Sequence, residues 1–236
     1  MLRGSFLKES KNPSALKTLL KTELCHRQNL GLIRNVLVTV AGILLFAIFV
    51  HDPGARRVLA FAGLVVSAVC IGYSTRHISL LKASGMMLPG RRTLLYILPA
   101  LLLGALLGIA TRNRFGLSLI PLTLGRMALI APCIGAFEEI LFRGYIQGTL
   151  QPAGKILSVV VAAMTHSAYK LLLIYSFPGP LQFDLFFLGL WTFTGGLAFG
   201  ILKELSGNTF PPVISHALFD IILYGGLNVA PAWIWS

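Results

Sequence analysis

Glu138 and Glu139 stand side by side in the stretch IGAFEEILFRGYI, four and five residues ahead of Arg143, within a run that is otherwise close to hydrocarbon. His166 follows in AAMTHSAYK, and His216 and Asp220 in FPPVISHALFDII. Carboxylates set among imidazoles can take a proton from water, hold a metal ion, or pass protons along a path. Placing charge in an apolar run costs roughly 2.5–3.5 kcal/mol or more per residue at the centre of a membrane helix, so such residues face the bundle interior and mark function.

Helical spacing sorts these groups. Glu139 and Arg143 are at i,i+4 with the acid first, the better order for an ion pair. Glu138 is turned about 100° away around the helix. Glu139–Arg143 is therefore expected to be supporting structure, and Glu138 to be the carboxylate left for general-base work. His216 and Asp220 also lie at i,i+4 and share one helix face. That pair could bind metal, orient an imidazole, or hold a polarised substrate oxygen. Lys170, one turn beyond His166, is expected to snorkel to the outer interface.

The elements that must position these residues are membrane helices. The chain has 236 residues, 56% hydrophobic and 12% charged, with a mean hydropathy of +0.79. Soluble domains run nearer 45–50% apolar and about 25% charged, and several apolar runs here approach the roughly 20 residues that cross a bilayer. The fold class is all-α: a polytopic transmembrane helix bundle of about seven spans, with the active site in the C-terminal spans. The spans are expected near 35–50, 58–74, 93–110, 122–146, 155–176, 184–203 and 210–227. Turn signals separate them, among them His51-Asp-Pro-Gly54, Pro89-Gly90, Phe177-Pro-Gly-Pro180 and Ser206-Gly-Asn208, while Pro211-Pro212 opens the last helix. Residues 1–34 read as a basic cytoplasmic or interfacial arm, with Leu16, Leu19, Leu20 and Leu24 on one face of a short amphipathic helix. Residues 35–236 read as a single transmembrane domain with its catalytic core at about 120–227. No cleavable leader is expected, because the first apolar run begins only after the arm.

The net charge of +12 comes from basic residues in the arm and short loops. It speaks for anionic headgroups and helix orientation, not for nucleic acid. Fourteen Lys/Arg fall on the side of the N-terminus against five on the other, with Lys170 inside a span, which predicts a cytoplasmic N-terminus. The three cysteines, Cys25, Cys70 and Cys133, suit neither a disulfide framework nor a metal cluster. Gly104/Gly108 and Gly196/Gly200 have the spacing of close helix packing.

Taken in order, Glu-Glu-x-x-x-Arg, a later intramembrane His and a final His-x-x-x-Asp resemble the intramembrane endopeptidases of the CAAX-processing, Rce1-like (CPBP or Abi) family, over about residues 120–227. The resemblance maps Glu138, Glu139 and Arg143 onto the first motif, His166 onto the second, and His216 with Asp220 onto the third. It departs at Ala162, where the second motif carries Phe four residues before its His, which bears on the pocket wall. The resemblance implies peptide hydrolysis in which Glu138, helped by His166, deprotonates a water. His216 and Asp220 would lie beside the tetrahedral intermediate, with Asp220 orienting His216. It also implies an alternative metalloendopeptidase version, in which His166, His216 and Glu138 hold Zn2+; the metal-free version is preferred, since the chain lacks His-Glu-x-x-His. The implied partners are a peptide or lipidated protein substrate (a prenylated tail, leader or sorting peptide) and the lipid bilayer. The implied location is the plasma (inner) membrane of a prokaryote, as a multi-pass integral protein. From the residues alone, an ion- or proton-coupled transporter and a non-catalytic self-immunity or peptide-binding membrane protein stay open.

Overall fold

The computed structural model describes residues 13–77, 79–178 and 184–229, with side chains from residue 30 onward except 80 and 81. Seven principal helices form: α1 (Pro13–Phe49), α2 (Arg57–Thr75), α3 (Ile97–Arg114), α4 (Met127–Glu139), α5 (Lys155–Tyr175), α6 (Leu185–Ser206) and α7 (Phe210–Tyr224). Among the described residues there is no strand. The all-α bundle expected from the sequence is what forms, and each expected span has its helix.

Five of these helical stretches are long and apolar enough to cross a membrane: Leu30–Phe49, Arg57–Thr75, Arg91–Arg114, Lys155–Tyr175 and Leu185–Ser206. The other two expected spans differ. α4 ends at Glu139 and passes into a π-helical stretch, Ile140–Gln147, and α7 has only 15 residues. At 1.5 Å per residue α7 is about 22 Å long, short of a hydrocarbon core of about 30 Å. These two carry Glu138, Glu139, Arg143, His216 and Asp220. The expected arm helix and first span are one unbroken helix, because nothing between Leu24 and Val36 stops it; residues 1–12 of the arm lie outside the described residues.

Local signals set the ends. Asp184 caps α6 by accepting the Phe187 N–H at 3.0 Å, and Gly207, with φ 70°, closes its C-terminus in the left-handed conformation that suits glycine. Pro211 and Pro212 occupy the first turn of α7, where no helical N–H is needed.

The helices pack as α1 on α2, α5 on α6, and α7 against both α3 and α4, with α1 closing onto α5. Small residues permit the close approaches. A Cβ added at Gly104 would collide with the Ser215 carbonyl, and one at Gly108 would press on Ile222. At Gly196 and Gly200 it would press on Ala163 and Val159 of α5. Both small-residue pairs are therefore packing features, as their spacing suggested. Gly135 does the same work at the site, since a Cβ there would strike Asp220 Oδ2 and the His216 ring.

Gly104→Val is expected to destabilise the protein by about 1–3 kcal/mol through overpacking of α3 on α7, while Gly72→Ala, whose Cβ meets nothing within 4 Å, is expected to be neutral or better. Thermal unfolding midpoints of the two variants in one detergent check this.

Candidate active site

The π-helical winding after Glu139 sets the register of the site. Arg143 lies within it, wholly buried with Phe142, Ile146 and Gln147. Despite the wider turn, Arg143 Nη1 stays 3.3 Å from Glu139 Oε1. The guanidinium also donates to His166 Nδ1 at 3.0 Å, and its Cζ sits 5.8 Å from the centre of the Phe199 ring. One arginine thus ties α4, α5 and α6 together. Such π stretches inside α-helices are frequent at functional sites.

The donors around the two imidazoles fix their tautomers. A guanidinium can only donate, so His166 Nδ1 accepts and the proton of the neutral ring is on Nε2. That N–H donates to Glu138 Oε2 at 3.2 Å. His216 Nδ1 lies 2.9 Å from Glu139 Oε1 and donates to it. His216 Nε2 then faces Glu138 Oε2 and Asp220 Oδ2, each at 3.9 Å. Those gaps are too long for direct hydrogen bonds and suit a bridging water.

The second oxygen of Glu138 has its own partner. Lys170 Nζ sits 2.6 Å from Oε1. The expectation that Lys170 snorkels outward is therefore corrected: the lysine turns inward because a buried carboxylate without a counter-charge is far costlier than a buried pair. A count of charges would have exposed this, since Glu138, Glu139 and Asp220 outnumber Arg143 within the same helices. The hydrogen bond that orients His216 comes from Glu139, not from Asp220. No spacing rule reaches that contact, because it joins residues 77 positions apart.

Phe142 stacks on the His166 ring, with centroids 4.5 Å apart and planes at 25°. Ala162 is buried in the cluster of Phe142, Tyr145, Ile146, Val36 and Ile43. It does not line the cavity described next, so the departure at this position bears on core packing and not on the pocket wall. Phe142 instead supplies an aromatic face to the histidine.

A cavity of about 110 Å³ opens onto the site. His166, Lys170, His216 and Asp220 line its polar end, and the rest is largely apolar, with Leu107, Phe115, Phe187, Trp191 and Leu223 in its wall. Trp191 is held by donating its Nε1–H to Thr111 Oγ1 at 2.9 Å. The arrangement presents two imidazoles, the Lys170 ammonium and the Asp220 carboxylate at the end of a greasy cleft, with Glu138 in contact with His166 and Lys170.

Zinc would need lone pairs from Glu138, His166 and His216 on one point. His166 cannot supply one through Nε2 without moving its proton to Nδ1, where Arg143 already donates. Glu138 is also engaged on both oxygens. As arranged, the three residues do not fit a zinc centre, and among the described residues no group of three or more His, Cys, Asp or Glu side chains converges as a metal site.

Residues 118–222 match the Rce1-like family model, described as type II CAAX prenyl endopeptidase Rce1-like. The matched segment contains all six motif residues and corresponds to the resemblance drawn from them. No curated protein and no solved structure matches the chain.

Removing Arg143 leaves Glu139 buried and uncompensated and frees His166 Nδ1. Arg143→Ala is expected to cost about 3–5 kcal/mol, the range for breaking a buried pair from one side. The check is accumulation and the unfolding midpoint; a variant as stable as wild type would show that the guanidinium is not the tie described.

Proposed function

We propose that this chain, Rce1-like over residues 118–222, is an intramembrane endopeptidase that hydrolyses a peptide bond with water activated by Glu138. The observation that carries the reading is the convergence of Glu138 Oε2 with both imidazoles, 3.2 Å from His166 Nε2 and 3.9 Å from His216 Nε2. A water in the second gap can donate to Glu138 Oε2 and lie against His216.

In the proposed reaction Glu138 takes a proton from that water as its oxygen bonds to the scissile carbonyl carbon, whose π electrons move to the carbonyl oxygen. The His166 N–H and the Lys170 ammonium hold the two carboxylate oxygens and aim the free lone pair of Oε2 at the water. His216, when protonated, donates its Nε2–H to the oxyanion, with Asp220 beside it as counter-charge and Glu139 fixing the ring. Collapse of the intermediate breaks the C–N bond, and the proton held by Glu138 passes to the leaving amine. No step requires a metal, in keeping with the tautomer that Arg143 imposes on His166.

The apolar wall of the cleft supports a substrate whose segment next to the scissile bond is greasy: a prenylated C-terminal tail, as the family's description has it, or the apolar part of a leader or sorting peptide. Charged segments would lose hydration there without gaining partners.

Glu138→Gln and His166→Ala are each expected to reduce cleavage of such a substrate, per molecule accumulated in the membrane, by at least about 10²-fold, the scale of a lost general base, beyond any stability lost with the Glu138–Lys170 pair. Near-normal turnover by Glu138→Gln would defeat the assignment. Activity is also expected to persist after exhaustive chelation; loss on chelation with recovery on adding Zn2+ would replace this mechanism with the metal version.

A further inference from the structure

On the far side of the π-helical stretch lies a second cleft of about 480 Å³. Its wall comes from the end of α2 (Ser74, Thr75), the segment 82–87, the stretch Gly144–Pro152 and the end of α6. It shares no residue with the cleft lined by His166 and His216. Its charged residues are Lys82 and Lys203, and no carboxylate lines it.

Lys203 is the unusual member. A lysine this near a helix end normally runs its stem out to water, yet Lys203 is only 7% exposed. It is directed into the cleft over Gly148, where a Cβ would come within 3.4 Å of Nζ. Its sequence neighbour Glu204 attracts it but forms no ion pair with it; Glu204 Oε1 accepts from Gln147 Nε2 at 2.8 Å and Gln151 Nε2 at 2.7 Å. Among the described residues Lys203 Nζ has no hydrogen-bond or ion-pair partner. A largely buried lysine whose ammonium has no bonded partner and faces a cleft that no carboxylate lines is a place for an anion.

The surroundings say which kind. The segment leading from the cleft to α3 exposes Met87, Leu88, Leu94 and Leu95, interleaved with Arg91 and with Arg92, whose Nε donates to the Leu205 carbonyl at the end of α6 at 2.7 Å. Apolar side chains alternating with basic ones is the pattern of a segment lying at the headgroup level of a bilayer. It borders the cleft through Met87, whose carbonyl is tied to Asn208 Nδ2 at 2.8 Å.

We propose that this cleft binds the phosphate of an anionic phospholipid headgroup, with the Lys203 ammonium as the buried contact and Lys82 at the mouth, while the acyl chains lie along Met87, Leu88, Leu94 and Leu95. The site is separate from the proposed catalytic residues, and its test does not depend on protease activity.

The experiment compares wild type, Lys203→Met, Lys203→Arg and Lys82→Met in nanodiscs of phosphatidylcholine with and without phosphatidylglycerol, and in neutral detergent with and without inorganic phosphate. Two readouts are taken: the unfolding midpoint and the lipid retained in native mass spectrometry. Wild type is expected to gain several degrees with phosphatidylglycerol and to retain one such lipid, by mass action on the folded state. Lys203→Arg keeps both effects, Lys82→Met weakens them, and Lys203→Met loses both while matching or exceeding wild-type stability in pure phosphatidylcholine. That last comparison separates lost binding from a failure to fold. Equal gains and equal retention in wild type and Lys203→Met overturn the proposal. A Lys203-dependent gain with inorganic phosphate and none with phosphatidylglycerol overturns the lipid assignment in favour of a soluble anion.

Discussion

Charge balance in a medium without water governs this bundle. Arg143 is wholly buried, with Glu139 on one side and His166 on the other, and Lys170 answers Glu138. An unpaired ion in such surroundings would cost several kcal/mol, so the helices bearing these charges must stay together. Each acid–base pair spans or braces an inter-helix contact: Glu138–Lys170 joins α4 to α5, and Glu139–His216 joins α4 to α7. The polar residues are thus the cross-links of the C-terminal half as well as the candidates for chemistry.

The same balance prepares the site. Because Arg143 occupies Nδ1 of His166, the Nε2 proton of that ring must point at Glu138; because Glu139 occupies Nδ1 of His216, the Nε2 of that ring must face the gap. Neither imidazole is free to change roles without disturbing a buried ion pair. Preorganisation of this kind places donors and acceptors before substrate arrives and avoids reorganising them during reaction. Gly135 contributes by omission, since its missing side chain is the space into which His216 and Asp220 fit.

Much of this was legible from residue order. The seven helices were, since hydrophobic runs and Gly/Pro breakers report them directly, and so was Glu139–Arg143, which needs only the rise and turn of one helix. The passage into π-helix at Ile140 was not, because winding is decided by the packing of Phe142, Arg143 and Ile146 against other helices. Lys170 was misplaced because a lysine taken by itself carries no direction, and only the surplus of acids over Arg143 in the neighbouring helices points it inward. The stacking of Phe142 on His166 was likewise hidden: the aromatic arrives from α4's continuation and not from the position four residues before the histidine.

The division of labour among the helices also bears on how the protein is made. Of the five stretches able to enter a bilayer unaided, only Lys155–Tyr175 brings titratable residues to the site, whereas α7 is short and α4 with its continuation bears three buried charges. A translocon releasing segments one at a time would offer lipid a charged, unpartnered α4 well before His216 and Asp220 had been synthesised. The α4 segment is therefore expected to stay at the translocon's lateral gate until its partners on α5 and α7 have been made. On these grounds the C-terminal half is expected to insert as a unit, its buried charges leaving water together.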